Sequence, residues 1–396
     1  MNGRPLAEFE LRMRGKVGQP GLGTVFGWTL ALALFSGGLL ASSPAAKAGG
    51  GLTHQHYVVR EEHWSIQVVR IDRKRPDLKL VTALGGGDQL GLSTMTDQLR
   101  LIPKEIGRPV AALNGDFYRT DGRYEGDPRG LQILNGELVS SPGESTSFWI
   151  DAKGHPQMDE VISKFAITWP NGKQERFGLN EDRGRDASLY TPAMGRSTQT
   201  PSGVEFVLEA VDRSKWLPLE VCETIPARIR EIRRSGNSRI PPGSMVLSLR
   251  SSSGNSGATS AVVGDVIAIS TETVPNLRGV KTAIGGGPAL VSGSRVQPIR
   301  VARSRERHPR SAVGWNKDEI FFVQVDGRQR HSSGITLPEL AEFMARLKCE
   351  EAMNLDGGGS SEIWMNGRIL NRPCYGHERS TANVLVVVKK DVEDES

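Results

Sequence analysis

Aromatic residues are scarce, at 6% of the 396-residue chain, and there are only three cysteines. So few cysteines exclude a disulfide scaffold, and Cys222, Cys349 and Cys374 do not have the spacing of a zinc site. Charge of one sign is missing too. The net charge is +5, but outside residues 1–48 the chain carries 45 cations against 43 anions. Bulk charge therefore gives no argument for nucleic acid. The basic run from Arg228 to Arg239 is local and suits a solvated strand pair. Long apolar runs are missing apart from one near the N-terminus, which excludes a polytopic membrane protein. What is abundant is glycine (46 residues) and proline (22), the mark of many turns and short strands. With 37% hydrophobic residues the chain can bury a sizeable core, and its length suggests about two domains.

The one apolar run reads as an export signal. Arg12, Arg14 and Lys16 precede an uncharged stretch from Gly18 to Ala46, and Ala46-Lys47-Ala48 places small residues at both positions a signal peptidase reads. Cleavage after Ala48 is expected, with a periplasmic or extracellular product; an uncleaved single anchor is the alternative. No cysteine follows the run, so a lipid anchor is not indicated.

Trp64 to Asp72, Leu78 to Leu84 and Pro109 to Asn114 read as strands, and Ser93 to Ile106 as a helix weakened by Pro103. Two hairpins share one form: Leu131 to Ser140 turns at Asn135-Gly136, and Glu362 to Leu370 turns at Asn366-Gly367. Thr336-Leu337-Pro338-Glu339 is a capping box, and Leu337, Leu340, Met344 and Leu347 recur at helical spacing. Strands are expected at Glu319 to Val325, Ala352 to Leu355 and Val384 to Val388. The stretch 155–275 has five strand-like runs separated by Gly, Pro and Ser and reads as a β-rich middle insertion. The expected class is α+β, mixed and β-rich with few helices. Its expected parts are a signal (1–48), two halves of one domain (49–154 and 276–390) around that insertion, and a tail (391–396).

Four loops could carry chemistry. In Asn354-Leu355-Asp356-Gly357-Gly358-Gly359-Ser360-Ser361 an apolar strand ends in a carboxylate. Three glycines then permit close backbone approach, and N–H groups with two hydroxyls make an anion cradle. Arg310 enters one strand and Asp326 leaves the next, which suits a guanidinium to bidentate phosphate binding at one sheet end. Asn114-Gly115-Asp116-Phe117-Tyr118 and Gly285-Gly286-Gly287-Pro288 also follow apolar strands. His308, His331 and His377 flank these loops and read as surface histidines. Cys349 and Cys374 bracket the Asp356 loop and are the pair favoured for a disulfide.

In order, these pieces resemble the phosphodiester glycosidase family. The matching stretches include Ala111 to Tyr118, Gly130 to Pro142, Ser188 to Gly195, Ala283 to Gly293, Pro309 to Gly314, Asp326 to Gln329, Gly334 to Leu340, Asn354 to Ser361 and Glu378 to Val388. Asp116 stands where many members have glycine. The resemblance implies an exported α-N-acetylglucosaminidase-like hydrolase. Its substrate would be a sugar-1-phosphodiester or phosphoglycan at the cell surface or in exopolysaccharide, with no nucleic-acid partner and no membrane partner once the signal is removed. It implies Asp356 as base or nucleophile, with Asp326 and Glu378 as further catalytic carboxylates. Arg310, Asn114, Asp116, Asn354, Gly357, Gly358, Gly359, Ser360, Ser361 and Arg379 would bind sugar or phosphate. No cofactor is evident and the metal is unknown; a calcium ion is the hard cation that aspartates would suit. A P–O-cleaving phosphodiesterase and a non-catalytic phosphoglycan-binding wall protein are the rival classes.

Overall fold

Two local signals, the Asn-Gly turns and the capping box, are realised as local structure and organise what surrounds them. In the computed structural model Asn135 and Asn366 take φ 49° and 47°, followed by Gly136 and Gly367 at 95° and 92°. Both φ values positive is what a two-residue hairpin turn of this hand requires. Thr336 and Glu339 exchange both capping contacts at the start of the helix Leu337–Arg346. The structure describes residues 41–42, 46–48, 50–120, 122–143, 145–181, 186–212, 216–250 and 257–390, all within the unit Leu39–Ser396. Most of the segment read as an export signal, and the tail, lie outside the described residues.

The architecture is α+β and β-rich, with two α-helices among the described residues. One sheet runs in the order Ala41–Ser42, Leu52–Val59, Trp64–Asp72, Glu319–Val325, Arg310–Trp315, Glu351–Asn354, Ala289–Ser292, Arg295–Val296, with Ala46–Ala48 also paired to Leu52–Val59. A second sheet runs Arg368–Ile369, Ile363–Met365, Arg108–Asn114, Asn383–Lys389, Leu78–Leu84. They pack as inner layers. Ile66, Val68, Phe321 and Val323 on the first sheet's outer face meet Leu340 and Met344 of the helix Leu337–Arg346. Val69, Phe322 and Val313 on its inner face meet Leu113, Ile363 and Leu385 of the second sheet. Ala112, Val384 and Val386 on the second sheet's outer face meet Met95 and Leu99 of the helix Met95–Arg100. The result is helix, sheet, sheet, helix. Strands buried on both faces explain why Glu319–Val325 and Asn383–Lys389 read as nearly unbroken apolar runs.

A five-stranded sheet (Pro156–Glu160, Thr146–Ile150, Thr282–Gly285, Gln132–Leu134, Glu137–Ser140) leads into an eight-stranded sheet built from residues 166–270. Phe165, Trp169, Phe177, Phe206 and Ile267 fill the core beneath the latter, joined by Leu131, Ile133 and Ala283 from the former.

Two expectations need correction, and one strand had not been anticipated. The helix Met95–Arg100 ends at Leu101, well short of Ile106; the residue before Pro103 is pushed out of the helical region. Leu52–Val59 is a strand that the sequence did not suggest, because its Thr-His-Gln-His core lacks apolar residues. Cys349 and Cys374 do not pair, and all three thiols are free. Cys349 is buried beneath the helix, its thiol pushed up to about 12 mainly by burial, whereas Cys374 lies against the Gly358 carbonyl at 3.8 Å.

Candidate active site

The inner face of the sandwich changes character at one end. Along Glu319–Val325 the inward residues run Ile320, Phe322, then Gln324; along Arg310–Trp315 they run Trp315, Val313, then Ser311. Trp64–Asp72 gives Ile71 and Val69, then Gln67 and Ser65, and Leu52–Val59 gives Leu52, then His54 and His56. Side chains alternate faces along a strand, so these switches fall on one surface. Ser311 pairs with Gln324, Gln324 with Gln67 and Gln67 with His56, so the polar positions form a row across four strands. Where the apolar filling stops, the connecting loops of both sheets converge.

Asp356 lies at the centre of that convergence. Its N–H donates to the Gly115 carbonyl (3.0 Å) and its carbonyl accepts from Asn114 Nδ2 (2.8 Å). Its carboxyl accepts from the Gly357 N–H (2.8 Å) and bonds the Ser360 hydroxyl. Burial raises this carboxyl above the usual aspartate range, against the pull of Arg379 and Arg129. The glycines have separate reasons. Gly358 has φ 62° and its N–H donates to the Pro309 carbonyl (2.9 Å). A Cβ on Gly359 would come within 2.2 Å of the Tyr375 ring.

Cations surround the loop. Arg310 gives Nη2 to the Glu306 carbonyl (3.2 Å), but its Nε is buried with no hydrogen-bond partner among the described residues. Burial, and then the neighbouring Arg328, disfavour its charge. The Arg328 guanidinium lies over Gly358 and meets His308 Nδ1 at 3.3 Å. Arg379 Nη1 donates to Ser360 Oγ (3.4 Å), and its guanidinium covers the Tyr118 ring at 5.7 Å. Two guanidiniums pressed together with an unused donor form a receptor for an oxyanion.

Glu362 completes the cluster. Its side chain accepts from the Arg379 N–H (3.0 Å), and its carboxyl is pushed up to about 8 by burial, reinforced by Glu378. Tyr118 lies between these groups. Burial raises its hydroxyl, which donates to the Ser380 carbonyl (2.9 Å) and bonds Ser360. A half-buried carboxylate beside several guanidiniums and two hydroxyls can hold a phosphate and present negative charge to an adjacent carbon.

Residues 227–388 match the family model for phosphodiester glycosidase. Residues 227–388 thus form a phosphodiester glycosidase family domain. Over 123 residues it is 31% identical to an SPbeta prophage-derived protein of Bacillus subtilis, covering 30% of this chain and 19% of that protein. Over 65 residues it is 42% identical to the bovine N-acetylglucosamine-1-phosphodiester alpha-N-acetylglucosaminidase, covering 16% of this chain and 12% of the relative. The chain thus aligns with less than a fifth of either relative's length. Two solved structures share the fold. A Synechocystis protein superposes with TM-score 0.71 at 19% identity, over 88% of this chain and 64% of its own. A Burkholderia pseudomallei protein gives 0.62 at 20% identity, over 82% and 74%.

The fold brings Asp356, Gly357, Gly358, Gly359, Ser360, Arg310 and Arg379 together. Ser361 lies below the loop, its hydroxyl bonded to Ser311 Oγ (2.9 Å) and Gln324 Nε2 (3.3 Å). Asn114 is fully engaged from within. Its Oδ1 accepts from Ser311 Oγ (2.5 Å) and the Glu362 N–H (3.1 Å), and its Nδ2 holds Asp356. It sets the loop's position. Asn354 donates to the Gly287 carbonyl (2.8 Å), while its Oδ1 is buried without a partner among the described residues. Asp116 is 3% exposed and accepts from the N–H groups of Phe117 (2.7 Å) and Gly130 (2.6 Å), which pins two loops together.

Asp326 is placed elsewhere, and Glu378, near enough to reinforce Glu362, is tied to a helix start instead of the Asp356 loop. Asp326 faces a separate cavity, bonded to His331 Nε2 (3.0 Å) and Ser65 Oγ (3.1 Å), so His331 is not a free surface histidine. Both oxygens of Glu378 are engaged at the first turn of Met95–Arg100, by Thr96 N–H (2.9 Å) and Oγ1 (2.7 Å). Among the described residues no group of three or more His, Cys, Asp or Glu is arranged to hold a metal. Sequence reasoning missed Glu362, Arg328 and Arg129. For Glu362 a signal existed: it is the one acid opening the apolar run Ile363-Trp364-Met365.

Proposed function

We propose that this protein hydrolyses the glycosidic C1–O bond of sugar-1-phosphodiesters. The observation that carries the reading is the Arg310–Arg328 pair, with its unused buried Nε, against the Asp356 loop. A phosphodiester oxyanion would fill that position and bring its anomeric carbon beside Asp356. The departing group is a phosphate monoester, which needs little protonation. The chemistry then reduces to anchoring the phosphate and stabilising, or attacking, the oxocarbenium-like carbon. Asp356 has the carboxyl and the position for the second task. Glu362 is 1% exposed and acts through its neighbours, holding the Arg379 backbone so that this guanidinium covers Tyr118 and reaches Ser360.

Residues 1–48, read from their sequence as an export signal, support a surface glycan as substrate. Incubation with a panel of sugar-1-phosphodiesters, read by phosphorus and anomeric-proton resonance, tests the reading. A free reducing sugar and an intact phosphomonoester are expected. A sugar phosphate with a free aglycone alcohol would assign P–O cleavage instead. Binding without turnover across the panel would leave a phosphoglycan-binding protein.

A further inference from the structure

Three of the chain's seven histidines meet at one place. His54 and His56 lie two residues apart on Leu52–Val59 and hence on one face, and His331 arrives from the loop after Asp326. With Arg368 and Arg372 from the hairpin side they line a cavity of about 510 Å³. His54 Nε2 meets Gln67 Oε1 (2.7 Å) and His56 Nε2 meets Ser65 Oγ (2.9 Å), so two of the imidazoles are held by neutral partners. Among the described residues Asp326 is the one carboxylate lining the cavity, and it is 2% exposed. Its oxygens already accept from Ser65 Oγ (3.1 Å), Gln324 Nε2 (3.3 Å), the Arg372 N–H (3.2 Å) and His331. Against that single carboxylate stand two guanidiniums and three titratable imidazoles.

The geometry points to a second oxyanion subsite here, one that takes a charged group of an acidic glycan and tightens as the pH falls. With neutral imidazoles the lining carries one net positive charge; protonating all three adds three more. Burial opposes charge on His56 most, and His54, His331 and Arg372 also repel it while Asp326 favours it. An anion among them would reverse that balance, and by reciprocity protonation would strengthen anion binding. The cavity adjoins the Asp356 loop, because Gln324 Nε2 bonds both Asp326 Oδ1 and Ser361 Oγ, each at 3.3 Å. That the ligand is a glycan rests on the glycosidase reading; that the cavity binds an anion does not.

The test titrates histidine-labelled full-length protein with sulfate and with glucuronate at pH 5.5 and 7.5, a range in which neither probe changes charge. Imidazole resonances report each site separately: His54, His56 and His331 for this cavity, and His308, beside Arg328, for the Asp356 loop. Saturable shifts of the first three are expected with at least one probe, with affinity about fivefold tighter at pH 5.5, the effect between these two pH values of one imidazole whose pKa rises by one unit on binding. The tighter probe identifies the oxyanion as tetrahedral or planar. Arg372→Gln should weaken these shifts at least about tenfold while leaving the His308 response intact. Turnover of a sugar-1-phosphodiester with a neutral aglycone should continue in Arg372→Gln, which separates failure here from failure of the glycosidase reading. Absence of saturable shifts at the three histidines, equal affinity at both pH values, or an unaltered response in Arg372→Gln would overturn the proposal.

Discussion

Replacing Glu362 with Gln removes one ionisation and little else. The side chain keeps its size and an acceptor for the Arg379 N–H. In the unfolded chain the carboxyl titrates near 4.5; in the folded protein burial holds it near 8. The raised value means that the folded state binds this proton more tightly. The group's contribution is therefore most favourable below pH 4.5, is lost progressively as pH rises to about 8, and is flat above. At 1.36 kcal/mol per pH unit the full interval corresponds to at most about 5 kcal/mol. Local relaxation and water entry around a buried charge reduce this, so about 2–5 kcal/mol is expected. Urea denaturation of both proteins from pH 4.5 to 9 provides the measurement. The two should coincide at the acid end, and Glu362→Gln should become the more stable by that amount at pH 8.5. Other groups with raised values, such as Glu137 at about 7, tilt both curves alike and cancel in the difference. A difference flat within about 0.5 kcal/mol across the range would refute the argument.

Further expectations address the loop itself. Asp356→Asn should lower turnover at least about 10²-fold, the scale of losing one preorganised electrostatic group. Because burial raises the Asp356 carboxyl, the neutral variant should melt no lower than wild type at pH 7; a merely structural cap predicts the reverse, with activity retained. Arg310→Ala should weaken phosphodiester binding by about 1.5–3 kcal/mol per lost charge-assisted hydrogen bond, and unchanged affinity would make Arg310 structural. Thiol titration of the unreduced, denatured protein should find Cys222, Cys349 and Cys374 all free. Mass spectrometry of secreted protein should find an N-terminus at or near Gly49, and an exported form retaining Met1 would refute cleavage.

Much of the fold was legible because its signals are local. Trp64–Asp72, Leu78–Leu84 and Glu319–Val325 were bounded to the residue by apolar runs between turn formers. The Asn-Gly hairpins and the capping box need only neighbours in sequence, and those neighbours suffice to set φ and satisfy N–H groups. Leu52–Val59 was not legible. It is a strand because Trp64–Asp72 offers it a hydrogen-bonding edge, and its polar residues face an open end of the sandwich.

The same division holds at the site. Sequence alone determined that Asp356 opens a glycine loop fit for an anion, and that Arg310 and Asp326 stand at the ends of adjacent strands. Only the tertiary structure decided which carboxylates stand beside the Asp356 loop. It separated Asp326 into a histidine-lined cavity, engaged Glu378 at a helix start, and buried Glu362 beside Arg379. Residue type and spacing are carried by the chain itself. A carboxyl's burial, its pKa and the cations around it come from segments hundreds of residues apart, and exist only once the two sheets have closed on each other.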